Sequence, residues 1–404
     1  MTRTQLNRLK RQQARRQAIF LVVGCALVVG VVFAVFTLTS ERYPGENRGD
    51  LSYVQAAGEV VENPQSSSQD LSQGQAEKDP EAISDFAAPP LSLGVGGDVT
   101  FGLAVKDVVE REGSGYPWEE IAVLLGGYDL TVVNLEGPLC RGSEPNPDQS
   151  SVLLRGDSSC AAPMADAGVD AVCLANDHIM DYGSTGLQET LSILRGDDLD
   201  AFGAGSNNRA AEKPLVLEAD NGARVALLSF CDVAPATYSA GEDTPGISAP
   251  SQERLGEMVK EAGENAPYVV AFLHWGEIGS AEITPRQREL ARICVEAGAD
   301  LVVGCHPHVI QGIEVLQGVP VIYSLGNLVF SSESEEGKNG IFAACRFSGG
   351  VLEGLEIFPL RVEGARPVRL NGEEAQEVLF ELGEASPGIQ LEISPHDGAA
   401  KLVL

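Results

Sequence analysis

Four of the five histidines in this chain fall where an apolar run gives way to a polar turn. His178 lies in LANDHIMDYG, His274 in FLHWGE, and His306 and His308 share GCHPH, while His396 stands near the C-terminus. Carboxylates and amides accompany them: Asp98 after LSLGVGG, Asn134 and Glu136 in NLEGP, Asn176 and Asp177 before His178, Asp181 after it. Imidazole is the commonest metal ligand and titrates nearest neutrality. The set has no Cys-x-x-Cys pair, so a thiolate zinc site is not expected. Imidazole mixed with carboxylate suits one or two divalent ions of the Mn, Fe, Zn or Mg kind. Two such ions can activate water and clamp a phosphoryl or carbonyl oxygen.

Each motif alone also has an ordinary structural reading. Gly96-Gly97-Asp98 can be a plain turn, or glycines that let backbone approach an ion or phosphate beside a hard oxygen donor. Asn134 and Glu136, two apart, face one side if the strand continues through them; otherwise they merely end it. Asn176 or Asp177 can cap the following helix. That accounts for one residue of an Asn-Asp-His run that is costly at the end of a buried strand unless paired or coordinated. His274 by itself is more often a hydrogen-bonded structural residue. His306 and His308 read as an extended segment stiffened by Pro307, with both rings aimed at one place. Gln311 and Glu314 behind them are candidates for orienting the rings. Tyr323 to Asn327 either closes a pocket rim or forms a turn. The sharper reading is convergence, because open α/β sheets gather their chemistry outside the carboxyl ends of the strands.

Those ends need strands to carry them. LSLGVGGD, YDLTVVNLEGP, DAVCLANDH, PYVVAFLHWG, DLVVGCHPH and VPVIYSLGN read as strands, with apolar runs continuous enough to be buried on both faces. CAAPMADAGV, GLQETLSILRG, RQRELARICVEAG and EEAQEVLFELGEA read as helices. PLVLEADNGARVALLSFCD is a hairpin turning at Asn221-Gly222, and IFAACRFSGGVLEGLEIFPLRVE is another. The alternation predicts an α/β fold of sheets covered by helices, in one domain over residues 91–385. Residues 386–404 are expected to be a C-terminal tail.

The 404 residues carry a formal charge of −30, unevenly distributed. Residues 1–40 hold six Lys/Arg and no acid, so removing that +6 from −30 leaves −36 on the remainder. A domain so acidic is not expected to bind nucleic acid, which needs clustered Lys/Arg; solubility is its plainest use. After the basic residues 1–17, the uncharged stretch 18–38 has the length to span a bilayer. The basic flank stays cytoplasmic, which puts the bulk of the chain outside the cell membrane as a single-pass protein. The stretch does not end in the small residues of a cleavage site, so it is expected to remain as an anchor. Residues 41–90, rich in Ser, Gln, Glu, Gly and Pro, read as a flexible extracellular linker. Cys140 and Cys160 flank a polar loop and are candidates for a disulfide. Cys173, Cys231, Cys294 and Cys345 sit in apolar runs as small hydrophobes.

GGDVTFG, NLEGP, LANDHIMDYGSTGL, HWGE, the Pro285 to Gln287 segment, AGADLVVGCHPHVIQGIE and YSLGNLVF resemble, in that order, the motifs of the CapA/PgsA family of capsule and poly-γ-glutamate synthesis proteins. The resemblance covers residues 91–365 and agrees with a single N-terminal anchor. It implies a metallophosphatase-like four-layer sandwich, two mixed sheets flanked by helices, following one N-terminal transmembrane helix. It implies a role in making, exporting or anchoring an anionic extracellular polymer, poly-γ-glutamate or capsule, beside its membrane synthase. The family is in turn similar to calcineurin-like phosphoesterases and 5'-nucleotidases. By that similarity Asp98, Glu136, Asp177, His274, His306 and His308 are metal ligands, with Asn176 able to stand in for Asp177, and His178 either protonates the leaving group or steadies the transition state, with Asp181 a further catalytic candidate beside it. The chain departs from the phosphoesterase pattern in three places: Thr100 replaces a ligand histidine, Glu136 an aspartate and Asp177 an asparagine.

Overall fold

The computed structural model describes residues 88–146, 152–394 and 398–403. Asp85–Leu404 form one compact unit. Chain order alternates between two sheets. The first begins with β1 (Leu91–Val99), β2 (Leu130–Leu135), β3 (Ala171–Cys173) and β4 (Asp200–Phe202), all parallel. A short ribbon pairs β5 (Ala204–Gly205) with β8 (Gly246–Ile247). The second sheet takes β6 (Leu215–Glu218), β7 (Arg224–Cys231), β9 (Tyr268–His274), β10 (Leu301–Cys305), β11 (Ile310–Leu316) and β12 (Val319–Leu325). Its order is β11-β12-β10-β9-β7-β6, parallel in the centre and antiparallel at both edges. The chain then returns to the first sheet with β13 (Asn327–Val329), β14 (Asn339–Ser348), β15 (Val351–Glu363), β16 (Arg366–Arg369), β17 (Leu391–Ile393) and β18 (Ala400–Leu402). These bring that sheet to ten strands. Two mixed sheets with helices is the architecture expected.

Alternate residues of the second sheet explain its unbroken apolar runs. Val225, Leu227, Val270, Phe272, Val303 and Ile322 join the core shared with the ten-stranded sheet. Their neighbours Ala226, Leu228, Ala271, Leu273, Val302 and Tyr323 pack beneath the helices Gln252–Asn265 and Pro285–Ala297. The second of these helices starts as its sequence dictates. Thr284 accepts from Gln287 N, Gln287 Oε1 accepts from Thr284 N, Pro285 takes the first turn, and Gly298 closes the far end at φ 107°. The hairpin of β6 and β7 turns with Gly222 at φ 83°, as the Asn-Gly pair requires.

Several expectations are corrected. Within the supposed tail, β17 pairs with β18 and β18 with β15, so 391–393 and 400–402 extend the large sheet. Each has only three residues, too few to show a period in the sequence. The Gln252–Asn265 helix also went unread, because its apolar Leu255, Met258, Val259 and Ala262 are diluted by charge. Cys140 and Cys160 are both free, buried thiols, with no disulfide between them. Burial pushes Cys140 up to about 11 and Cys160 to about 12, which leaves both protonated and unreactive. The basic stretch 1–17, the 18–38 anchor, most of the 41–90 linker and His396 lie outside the described residues. Among the described residues, no helix is long and apolar enough to cross a membrane.

Candidate metal centre

The parallel strands of both sheets end at one place, and register sets which residues meet there. Asp98 at the end of β1 lies opposite Asn134 of β2 and Asn327 of β13. His274 at the end of β9 lies opposite Cys231 of β7 and Cys305 of β10. Glu136 follows one residue after β2 and its backbone N still donates to Val99 O at 2.7 Å. Gly97 works differently from the expectation of backbone meeting an ion. A Cβ there would run into the Gly326 carbonyl, so its bareness lets β1 approach the turn before β13.

Two triads of side chains result. In one, His274 Nε2 is 2.8 Å from Asp177 Oδ1 and 3.1 Å from His306 Nδ1, and His306 Nδ1 is 3.7 Å from the same carboxylate oxygen. In the other, His308 Nδ1 is 3.3 Å from Asp98 Oδ2 and His308 Nε2 is 3.4 Å from Glu136 Oε1. A third grouping, Glu136, Asp177 and His178, joins the two, with all ligand atoms within 4.8 Å of one another. Asn134 Nδ2 also links them, 2.8 Å from Asp98 Oδ1 and 3.4 Å from His274 Nδ1.

This geometry fits divalent ions. Donors each about 2.1 Å from one ion, at tetrahedral or octahedral angles, stand about 3.0–3.4 Å apart. The spacings of the first triad, 2.8, 3.1 and 3.7 Å, bracket that range, while in the second His308 meets Asp98 with Nδ1 and Glu136 with Nε2, so one of those nitrogens would serve an ion and the other would not. Both carboxylate oxygens of Glu136 are buried without a hydrogen-bond partner, and in the ion-free protein the cation that compensates this carboxylate is the His308 imidazole at 3.4 Å. The histidine loop is itself strained. His306 has φ 98° and His308 φ 58°, both left-handed, so the segment is a tight turn and not the extended one expected. Strain at two successive imidazoles aimed at one point is characteristic of a functional site.

The electrostatics follow from mutual burial. Burial would raise the Asp177 carboxyl, but hydrogen bonds from His274 and His306 override it and hold it well below the usual range. Asp98 is lowered likewise, against its own burial, by His308. Burial disfavours the charged imidazole of His308, yet Glu136 and Asp98 raise its pKa well above the usual value. His274 is raised against burial by Asp177, Glu136 and Asp98. His178 reaches about 9: burial opposes its charge, and Asp181, Glu136 and Asp177 outweigh it.

The remaining sequence candidates take supporting positions. Asn176 has no free ligand atom: Oδ1 accepts from His178 N and Ile179 N, and Nδ2 donates to Asn134 Oδ1 and Leu135 O. It holds the His178 loop and does not replace Asp177. Asp181 lies 2.9 Å from His178 Nδ1 and accepts from Leu154 N at 2.6 Å, so it orients the imidazole. Thr100 turns back into its own loop, accepting from Gly102 N. Gln311 and Glu314 do not reach the histidines. Gln311 bonds Gln287 and the carbonyls of Ser280 and Glu282, while Glu314 pairs with Arg288 and Tyr323. Asn327 Oδ1 stands 3.0 Å from His308 Nδ1, and the Phe330 ring packs 4.5 Å from the His308 ring. Asn327 and Phe330 both stand in YSLGNLVF, a motif already noted, but their contacts with His308 are not legible from it.

With this arrangement in view, likeness to known proteins becomes informative. Residues 92–332 match the family model described as bacterial capsule synthesis protein PGA_cap. The "PGA biosynthesis protein CapA" of Bacillus subtilis is 30% identical over 285 residues, 70% of this chain and 75% of its own. The "Capsule biosynthesis protein CapA" of Bacillus anthracis is 31% identical over 69% of each chain. A "probable polyglutamine synthesis accessory protein" of Mycobacterium tuberculosis is 27% identical over 62% of this chain and 71% of its own. The NAD nucleotidase of Haemophilus influenzae, at 13% identity, superposes with a TM-score of 0.38 over 77% of this chain and 58% of its own, a likeness too slight to bear on the chemistry. The family match, over residues 92–332, spans the segments that carry both triads, and the chain belongs to the family of bacterial capsule synthesis proteins.

Proposed function

We propose that this chain is a membrane-anchored, extracytoplasmic protein of capsule or poly-γ-glutamate synthesis or export, with a divalent-metal centre at its strand ends. Family membership supports the polymer role. The basic residues 1–17 before the uncharged stretch 18–38 support the anchor and its orientation. Its partners are then the anionic polymer and the membrane synthase that makes it. The observation that carries the metal centre is the meeting of Asp98, Glu136 and His308 with Asp177, His274 and His306 around the buried Glu136 carboxylate, which among the described residues accepts no hydrogen bond and has only the ion pair with His308. The order of these ligands along the chain also supports a metallophosphatase-like ancestry.

Each triad supplies three donors, which leaves coordination positions for water or substrate, as catalytic metal sites do. A bound ion would supply Lewis acidity and a water acidified toward neutrality. The chain's own residues do the rest. Asn176 and Asp181 fix the loop and ring of His178. In the ion-free protein His178 is raised to about 9 against its burial by Asp181, Glu136 and Asp177, and it stands beside both Glu136 and Asp177.

That dyad favours a second reading, a metal-dependent hydrolase of phosphoesters or of polymer amide bonds. An imidazole held protonated at the edge of a metal site can protonate a leaving oxygen or nitrogen. A gene deletion complemented with wild type, His306→Ala/His308→Ala and His178→Asn separates the readings. Loss of surface polymer on deletion, unrestored by the first variant, is the expected result. Unchanged polymer amount and length on deletion would sink the polymer role. Restoration by His178→Asn alone would support an accessory metal site without acid catalysis.

A further inference from the structure

We infer that the outer face of the helix Gly372–Glu384, with the groove beside it, is a docking surface for a partner protein, and that the segment it takes is basic and amphipathic, with Lys or Arg interleaved with apolar side chains. The inference goes beyond the polymer role and the metal centre and rests on neither.

A groove of about 490 Å³ runs beside this helix, within the size range of ligand pockets. Its floor is apolar, formed by Val309 and Ile310 at the head of β11, Leu370 after β16, and Val378 and Leu382 of the helix. The helix cannot slide to close it, because its C-terminal end is keyed to β11. Ile313 N donates to Ser386 Oγ at 2.8 Å, and a Cβ at Gly312 would run into the Ala385 carbonyl. The rim is negative. Glu374, Glu377 and Glu381 recur at helical spacing, so they form one stripe along the groove. Glu336 and Glu363 add to it from the loop before β14 and the end of β15. The cations nearby are already taken up, since Lys338 and Arg361 both pair with Glu335. Among the described residues none of the five rim carboxylates has an ion pair.

The arrangement disfavours the helix that carries it. Glu377 and Glu381 repel one another a turn apart, and Glu381 and Glu384 stand in the last turn, where the helix dipole favours cations and no Lys or Arg is present. Acids anywhere on the surface serve solubility; a stripe so placed is relieved only by an external cation. The same helix also presents apolar surface. Phe380 is 62% exposed and shares a hollow with Ile393 of β17, itself 37% exposed. An exposed aromatic ringed by polar groups is the common form of an interface anchor. Glu377 lines both the groove and this hollow, so the two make one surface. Its charge repels an anionic polymer, and its apolar residues offer more than a polyamine can use. A basic amphipathic segment matches both halves.

The test uses the full-length protein in phosphatidylcholine nanodiscs and a fluorescent peptide with Lys and Leu at helical spacing. Anisotropy is read at about 0.15 M salt, with binding to empty discs subtracted. Glu374→Gln/Glu377→Gln/Glu381→Gln should weaken binding by about tenfold or more and flatten its salt dependence. Phe380→Ala should weaken it with the salt dependence kept. Glu253→Gln/Glu264→Gln/Glu296→Gln removes the same charge from two other helices and should leave affinity within about twofold. Every substituted residue is exposed, and circular dichroism checks that each variant is folded. No binding by the wild type, or equal weakening by both triple variants, would overturn the inference. Oligolysine binding as tightly as the amphipathic peptide would overturn it too, by making the surface a general polycation site. Wild-type dimers in sedimentation that Phe380→Ala dissociates would assign the surface to a second copy of this chain instead.

Discussion

At the scale of single residues, the site is a set of charges that stabilise one another. His178 shows the logic most simply. Asp181 accepts from Leu154 N and holds His178 Nδ1 at 2.9 Å, and the imidazole consequently titrates near 9 despite its burial. Asp181→Asn keeps the shape and removes the charge. The His178 ring should then titrate at least one unit lower, visible as an earlier shift of its ring protons by NMR; an unmoved midpoint would assign the elevation to Glu136 and Asp177 instead. The sign for stability follows. A pKa raised from 6.5 to about 9 contributes stability that is complete below 6.5 and is lost as pH rises through about 9. Chelated protein should therefore melt at lower temperature at pH 9.5 than at pH 7. Metal binding runs the other way. His274 and His308 are raised in the ion-free protein and must shed their protons to ligate. Affinity should climb from pH 6 to pH 8, and calorimetry in buffers of different ionisation enthalpy should register proton release; a pH-independent affinity would mean the histidines are not ligands. Most of these residues were legible because histidine after an apolar run is uncommon and polar groups at buried strand ends need a partner. The division of labour was not legible. Asn176 and Asp177 are adjacent and both polar, and only the loop geometry shows that one holds the turn at His178 and Ile179, capping no helix, and the other faces the imidazoles.

At the scale of elements, the histidines depend on how closely β9, β10 and β12 pack. Trp275, directly after His274, donates its indole N–H to Tyr323 O at 2.8 Å and stacks on the Tyr323 ring. Gly304, two residues before His306, lies under that contact, and a Cβ there would run into both the Tyr323 carbonyl and Trp275 Nε1. Gly304→Ala therefore overpacks the junction of the three strands that present His274, His306 and the turn to Asn327. A loss of about 1–3 kcal/mol or more in denaturant unfolding is expected, together with weakened metal binding. Wild-type stability would show that the strands can spread without cost. Core truncation away from the site gives a contrast. Phe272 lies between the sheets with its ring edge-on to Phe202, 5.4 Å away. Phe272→Ala should cost about 3–5 kcal/mol, with metal stoichiometry retained in the folded fraction. The elements visible in the sequence were those with an unbroken apolar run or a cap signal, such as β9, β10 and the Pro285–Ala297 helix. Those not legible were the Gln252–Asn265 helix, diluted by charge, and the short pieces β4, β16, β17 and β18, each three or four residues and too brief to show a period. The joining of strands from two sheets at one site was legible only through the histidines themselves, since pairing order leaves no local trace.

At the scale of the whole molecule, charge sets how an anionic polymer can approach. Residues beyond 40 carry −36 net, obtained by taking +6 from −30. A polyglutamate chain meeting such a surface is repelled over roughly the Debye length, about 8 Å at physiological salt. Attraction must then be local, and the candidate source is the proposed metal centre, where dications, once bound, would offset the carboxylates of Asp98, Glu136 and Asp177. The combination predicts an unusual salt dependence. Ordinary polyanion binding by basic proteins weakens as salt rises, because counterions are released. Here moderate salt should strengthen association by screening the repulsion, and chelation should abolish it at every ionic strength. Fluorescence anisotropy of labelled poly-γ-glutamate with the full-length protein would read both effects, with Mn²⁺ or Zn²⁺ present and then removed. Affinity that falls steadily with salt would point to a basic surface outside the acidic domain, for which the six Lys/Arg of residues 1–17 are the source at hand. Affinity that survives chelation would place polymer contact away from the triads altogether, and would leave the metal centre free to act on a smaller, phosphate- or amide-bearing substrate.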